Sequence, residues 1–329
     1  MDINKSTICV VAPRKGMGDC ISFFGIFKTI NKYSKKKIIL VTVPNTSAKE
    51  IFKQEKIFKK IIYFNQNNKI FFNVLTSYLK IFKALAKARS LGANEIIILH
   101  QSIKYILISK LLGFKTIEAP GQKFQRFFLK KNRVYKNFLS KKLPPVDECK
   151  YLAKEIFSVQ KIEDNYFLFN HNINKKYIAI AIATSGPEKF WIVENYIKVI
   201  NYFLKKGFKK ILLLSGKNQS PIETNICNHF YSQNINFIKT SNLNIKKIIF
   251  YLKKTKIYFG NDTGFSHLAA SLKIPSLVIY GDCEPFNNYS KFIFPITPKN
   301  KIFTHNSIKN ISFEQVRNQL KFFFKKNNL

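Results

Sequence analysis

Four short stretches of this 329-residue chain carry the residues best able to do chemistry, and each falls where an apolar run passes into a helical pattern. In "GNDTGFSHLAASLKIPSLVIYG", residues 260–281, an acid (Asp262), a hydroxyl (Thr263), a glycine (Gly264) and a histidine (His267) stand at the mouth of one helix. Asn261 or Asp262 can cap that helix. The free N–H groups of Thr263 to Ser266 then form an anion site suited to phosphate. Gly264 lets a ligand approach the backbone, and His267 points the same way one turn later. A capped helix with a core histidine is the plainer alternative.

The other three stretches are shorter. In "ATSGPEKFW", 183–191, a strand ends in Thr184 and Ser185, and Lys189 follows beside the single tryptophan, Trp191. A lysine there can grip a phosphate as a point charge; a turn with a solvated lysine is the alternative. In "APRKGMGDC", 12–20, two glycines and an acid follow the first strand. This is not a dinucleotide fingerprint: G-x-G-x-x-G needs glycine where Ile21 stands, and "VTVP" ends the second strand without an acid. Gly16 and Gly18 still permit close backbone approach by a ligand. Asp19 is either an acid favoured by the helix dipole or a carboxylate turned toward a cleft as a base. "LLLSGKNQ", 212–219, lacks the glycine and the Ser/Thr of a P-loop and reads as a turn around Lys217.

These stretches need a scaffold that brings strand ends together. Apolar runs at 7–13, 37–44, 60–64, 95–100 and 115–120 alternate with helical patterns at 20–33, 71–92, 102–113 and about 146–158. The alternation implies parallel βαβ units and a doubly wound sheet. A polar, Asn-rich stretch at 160–176 reads as a linker. The pattern then restarts, with strands at 177–183, 209–216, 235–240, 256–261 and 275–281 and helices at 193–207, 221–233, 244–255 and 263–273. Ser312 caps a last helix. The expected organisation is an N-terminal domain over 1–165, a second over 175–310, and a C-terminal helix over 311–329. Ligands in such folds bind beyond the carboxyl ends of the strands.

Bulk composition narrows the classes. The 56 basic residues, 51 of them Lys, face 18 acidic ones, for a net charge of +38. Richness in Lys, Ile, Asn and Phe fits AT-rich codon usage, so part of that charge carries no functional message. The rest fits an anionic partner such as a membrane surface or nucleic acid. The lysines are spread over every segment and no nucleic-acid motif appears, so no specific nucleic acid is expected. No apolar run reaches the length of a membrane span, and the N-terminus does not read as a signal peptide. The five cysteines are scattered and odd in number, without a zinc spacing, and read as free thiols of a reducing compartment. No cofactor or metal is expected.

"GNDTGFSHLAASLKIPSLVIYG", "GMGD" after the first strand and "ATSGPEKFW", in that order, resemble glycosyltransferase family 9, the lipopolysaccharide heptosyltransferases. The resemblance runs over nearly the whole chain, and D-T-G-x-x-H-L-A-A is its most specific element. It implies an α/β GT-B fold, two Rossmann-like doubly wound domains facing a cleft. It also implies inverting, metal-independent transfer of a heptose from ADP-heptose to a lipopolysaccharide inner-core acceptor. The net charge of +38 and that lipid acceptor together point to the inner face of the cytoplasmic membrane. By the same resemblance, Asp19 matches the general base in an acceptor-side loop with Gly16 and Gly18, and Lys189 holds the donor phosphate. Asp262, Thr263, Gly264 and His267 match the donor-binding element, and Thr184 and Ser185 match the hydroxyls beside the diphosphate. Two positions depart: Trp191-Ile192 where the family often has Trp-Pro, and Gly281-Asp282-Cys283-Glu284-Pro285 where it often has Gly-x-Thr-x-Pro. The chemistry agrees with these sites. Inverting transfer needs one base for the acceptor hydroxyl and preorganised positive charge for the departing diphosphate. The alternatives are a GT-B enzyme using another nucleotide-sugar and a basic nucleic-acid-binding protein.

Overall fold

The computed structural model describes residues 6–65, 72–129, 143–167, 175–184, 186, 189–285, 290–304 and 306–326. The chain divides into two compact units, Met1–Asn165 and Tyr166–Leu329.

The N-terminal unit holds strands β1 (Thr7–Val11), β2 (Lys37–Thr42), β3 (Phe58–Tyr63), β4 (Ala93–Ile98) and β5 (Thr116–Glu118), all parallel, in the order β3-β2-β1-β4-β5. Its helices are α1 (Met17–Ser22), α2 (Phe24–Ser34), α3 (Ala48–Ile51), α4 (Phe72–Ser90), α5 (Lys104–Leu111) and α6 (Pro145–Phe157). Continuous apolar runs suit strands covered on both faces. Cys9, Val11, Ile39, Val41, Ile96 and Ile98 pack in one buried cluster with Ile81 and Leu85.

The C-terminal unit holds β6 (Tyr177–Ala181), β7 (Lys210–Leu214), β8 (Asn236–Lys239), β9 (Thr255–Asn261), β10 (Ser276–Ile279) and β11 (Ile293–Ile296), parallel in the order β11-β10-β9-β6-β7-β8. Its helices are α7 (Val193–Lys205), α8 (Ser220–His229), α9 (Ile245–Lys253), α10 (Gly264–Ser271) and α11 (Phe313–Lys326). Ser312 caps α11 as expected: the Gln315 N–H donates to its Oγ at 3.2 Å. Among the described residues no helix is long and apolar enough to cross a membrane.

Three differences from the sequence reading have physical causes. The helix expected over 20–33 begins at Met17 and is broken at Phe23. The Gly25 N–H, which a continuous helix would give to Ile21, goes to Asn165 Oδ1. The carbonyl of Glu163 also fills the space a side chain at Gly25 would need. The polar stretch read as a linker is therefore bound down at 163–165, where the Glu163 N–H also donates to Thr29 Oγ1 at 2.9 Å. Strand β11 was not expected; its Pro295 cannot donate to a ladder, but β11 is an edge strand, where proline is tolerated. Trp191 is fully buried in the core, its Nε1–H donating to Ile311 O at 2.8 Å.

Candidate active site

In the C-terminal unit the connectivity reverses between β6 and β9, which makes their carboxyl ends the switch point of the sheet. The backbones come unusually close there. A Cβ at Gly260 would collide with the carbonyl oxygen and Cβ of Ala181, so only glycine fits. The next residue ties the strand ends together. Buried Asn261 accepts from Tyr196 Oη at 2.7 Å and donates through Nδ2 to Ala183 O at 3.4 Å.

Asn261 is thus a tie, and neither it nor Asp262 caps α10. Thr263 does: its Oγ1 accepts from the Phe265 N–H at 3.3 Å, and Ser266 Oγ accepts from the Thr263 N–H at 3.4 Å. The Ser266 N–H is taken by Thr263 O at 3.0 Å. The row of free donors expected from Thr263 to Ser266 is therefore largely used by the cap. Of the four, only the Gly264 N–H has no acceptor among the described residues. An incoming anion can use that donor and the partial positive charge of the helix start.

The side chains around this mouth form a charged cluster. His267 Nε2 lies 3.5 Å from Asp262 Oδ1, the two side chains being 14% and 23% exposed. Cys283 Sγ donates to Asp262 Oδ2 at 3.7 Å. Lys189 Nζ lies 2.5 Å from Asp282 Oδ2. Burial pushes the Asp262 carboxyl above the usual carboxylate range, opposed by the charge of His267. The bond to Asp282 raises the Lys189 ammonium, against some desolvation. Burial pushes the Cys283 thiol up to about 12, so it is a neutral donor rather than a thiolate nucleophile.

At the carboxyl ends of β1 and β4 the N-terminal unit has its own mouth. Gly16 is extended and precedes α1, and Gly18 is buried inside that helix. Asp19 is exposed in the first turn, with no hydrogen bond to its carboxylate from a described residue. A Cβ at Gly16 would meet nothing nearer than Asp19 Oδ2, at 4.0 Å, so Gly16 borders the carboxylate. Arg14 turns the other way. Its Nη2 donates to Leu99 O at 2.6 Å, and its guanidinium lies 3.9 Å over the Phe23 ring. Arg14, His100, Gln101 and Glu148 line a cavity of about 400 Å³. Burial, reinforced by Arg14 and Lys104, lowers His100 to about 4; its neutral Nδ1 accepts from the Ser102 N–H at 3.0 Å.

The sequence-predicted residues Lys189, Asp262, Thr263, Gly264 and His267 thus gather at one mouth of the C-terminal unit, and Gly16, Gly18 and Asp19 at a mouth of the N-terminal unit. Thr184 is committed locally: its hydroxyl donates to Gly186 O at 2.7 Å. Ser185 lies outside the described residues. Lys217 is exposed at the start of a short 3-10 helix, Lys217–Gln219, where a plain turn was expected. The residues missed were Asp282 and Cys283, whose signal was present as the departure from Gly-x-Thr-x-Pro, and Arg14 and His100, whose strand-end positions were the only clue. Glu223 was also missed. This buried carboxylate holds the ends of β7 and β8 by accepting from Ser215 Oγ (2.6 Å), the Thr240 N–H (2.8 Å) and Ser241 Oγ (2.5 Å).

Two parallel α/β units of this kind, with polar clusters at the strand mouths, are the architecture of GT-B glycosyltransferases. Residues 141–321 match the model of glycosyltransferase family 9 (heptosyltransferase). The chain belongs to glycosyltransferase family 9 and is a glycosyltransferase. Its fold is similar to that of a family 9 glycosyltransferase from Veillonella parvula, at 15% identity over 99% of both chains with a TM-score of 0.76. It is similar to E. coli ADP-heptose lipopolysaccharide heptosyltransferase II, at 15% identity over 98% of this chain and 100% of that one, TM-score 0.74. It is also similar to E. coli heptosyltransferase WaaC with ADP, at 15% identity over 96% of this chain and 99% of that one, TM-score 0.70. No curated protein sequence matches the chain.

Proposed function

We propose that the protein transfers a heptose from ADP-heptose to a lipopolysaccharide core acceptor, with inversion at the anomeric carbon and without a metal. The observation that carries this reading is the cluster of Lys189, Asp262, His267, Asp282 and Cys283 at the mouth of α10, in a family 9 chain. The likeness to a heptosyltransferase holding ADP supports the same nucleotide.

In this reading Lys189 and the Gly264 N–H hold the donor diphosphate, with Thr263 shaping the turn and Thr184 and Ser185 beside it. Asp262 and His267 fix the rest of the donor. Asp19 takes the proton of the acceptor hydroxyl as its oxygen attacks the anomeric carbon. The bond from that carbon to the diphosphate breaks, its electron pair goes to the leaving oxygen, and ADP departs. Lys189 and the helix start stabilise the charge that develops there. Gly16 and Gly18 precede Asp19 in sequence and belong to the acceptor-side loop. Net charge +38 holds the protein to the anionic inner face of the cytoplasmic membrane, where a lipid-linked acceptor is available. Specific nucleic-acid binding has no part in the reading.

A second reading, the same chemistry with another nucleotide-sugar, is favoured by Asp282 and Cys283, which replace the usual residues at the donor cluster. One experiment separates the two. The protein is incubated with ADP-heptose, UDP-glucose or GDP-mannose and a heptose-free lipopolysaccharide core, and nucleotide release and product mass are followed. ADP release with a heptose-sized mass gain is expected. Turnover with a UDP- or GDP-sugar alone would establish the second reading.

A further inference from the structure

We propose that Asp282 is a built-in competitor of the donor diphosphate for Lys189, and so sets how tightly the donor is held. The proposal rests on the reading of Lys189 as the diphosphate-binding lysine. Asp282 Oδ2 lies 2.5 Å from Lys189 Nζ, a close ion-pair contact. The pair is accessible, at 33% and 23% side-chain exposure, so a ligand can reach it. An ammonium has three donors but one charge. A diphosphate arriving at Lys189 must share that charge with the Asp282 carboxylate or displace it.

Asp282 is not needed to build the mouth. The strand ends are held by Asn261 and by the close approach at Gly260, α10 is capped by Thr263, and Cys283 bonds to Asp262 rather than to Asp282. Asp262 is a second acid nearby, felt electrostatically by Lys189. The cluster thus has two carboxylates for one lysine, in a chain where bases outnumber acids 56 to 18. A site meant only to grip a polyanion would not gain from that ratio. A site that must also release the nucleotide does, because the carboxylate returns to the lysine as the product leaves. Asp282 is therefore a positioning residue that acts through Lys189.

The test measures binding of ADP, and separately of inorganic pyrophosphate, by calorimetry to wild type, Asp282→Asn, Lys189→Ala and the double variant, with Asp282→Glu as the conservative control. Asp282→Asn is expected to bind both probes about three- to tenfold more tightly, the range set by a partly exposed ion pair plus the like charge removed. At least half of that gain should vanish in the Lys189→Ala background, and Asp282→Glu should keep wild-type affinity. Product release should slow in Asp282→Asn, so kcat falls while KM for the donor falls with it. Unchanged or weaker binding by Asp282→Asn would overturn the proposal; weaker binding would mean that Asp282 holds Lys189 ready for the donor. A full gain retained without Lys189 would also overturn it, leaving simple repulsion. Equal affinity of wild type and Lys189→Ala would instead remove Lys189 from donor binding, and the proposal with it. Pyrophosphate following the expected cycle while ADP does not bind would sink only the nucleotide assignment.

Discussion

At the mouth of α10 the charged groups pair with one another, Lys189 with Asp282 and His267 with Asp262, and the neutral Cys283 thiol donates to Asp262. At the mouth of β1 and β4 they do not. Arg14 is turned onto the Leu99 carbonyl and the Phe23 ring, while Asp19 stands exposed with no described partner for its carboxylate. The two mouths rest on the same kind of parallel sheet, with the strand order reversing at each. The difference fits a division of labour. A cluster whose dipoles and charges are already oriented can meet a charged diphosphate with little rearrangement. A proton acceptor must keep a lone pair open until the substrate arrives.

The comparison breaks most severely at Asp19. Asp19→Asn keeps the shape and the exposed position but removes the basic oxygen. Turnover should fall by roughly 10²-fold or more, with ADP affinity unchanged by calorimetry. Turnover within about threefold of wild type would mean that the open carboxylate is only a helix-start acid.

The converse change at the other mouth is smaller. Lys189→Ala should cost about 1.5–3 kcal/mol of ADP binding, the range for a hydrogen bond to a charged group, and should lower turnover as well. His267→Ala should weaken donor binding while leaving acceptor binding as in wild type. An equal loss of donor and acceptor affinity in His267→Ala would mean that the two mouths do not divide the substrates.

Charge outside both mouths supplies a third contrast. Binding to vesicles should require anionic lipid and weaken as salt is raised, with about 1 kcal/mol per basic residue at the surface. Neither Asp19→Asn nor Lys189→Ala should alter it. Equal binding to neutral vesicles in a flotation assay would rule out a charge-driven membrane association.

Much of this was legible in the sequence because parallel strands buried on both faces leave continuous apolar runs, and β1, β2, β4, β6, β7, β9 and β10 all carry them. The motif at the mouth of α10 was legible for a related reason: its residues are contiguous, from Asp262 to His267. What stayed hidden depends on distant pairs. Nothing local says that Asn165 takes the Gly25 N–H and breaks a helix, or that Trp191 reaches Ile311. The pairing of Lys189 with Asp282 spans most of the C-terminal unit in sequence, so only the fold reveals it. Free donors at a helix start also depend on the side chains that cap it, and Ser266 reads as an ordinary helical residue until its bond with Thr263 is seen.

The smallest effects concern pH, where the two mouths should act with opposite sign. His100 is lowered from 6.5 to about 4 by burial and by the charges of Arg14 and Lys104, so the fold binds fewer protons than the unfolded chain between those values. Stability contributed by neutral His100 is present above the unfolded value and is lost as pH falls toward 4, by at most about 1.4 kcal/mol per pH unit. Asp262 is shifted upward by burial, so the fold keeps its proton to higher pH than the unfolded chain does. Its contribution favours the fold at low pH and turns into a cost as pH rises through the shifted range. His100→Gln should therefore flatten the fall in thermal midpoint between pH 6.5 and 4.5, because that side chain no longer has a proton to gain. Asp262→Asn should raise the midpoint at pH 7, and that advantage should shrink as pH falls through the shifted range of the wild-type carboxyl. It should do so while weakening ADP binding, since the group that is costly to bury is the one that orients His267 and Cys283. Thermal scans across pH 4 to 8 on the three proteins decide the matter. A midpoint for Asp262→Asn below wild type at pH 7 would show that its bonds to His267 and Cys283 outweigh the cost of burying the charge, and the two mouths would then titrate with the same sign.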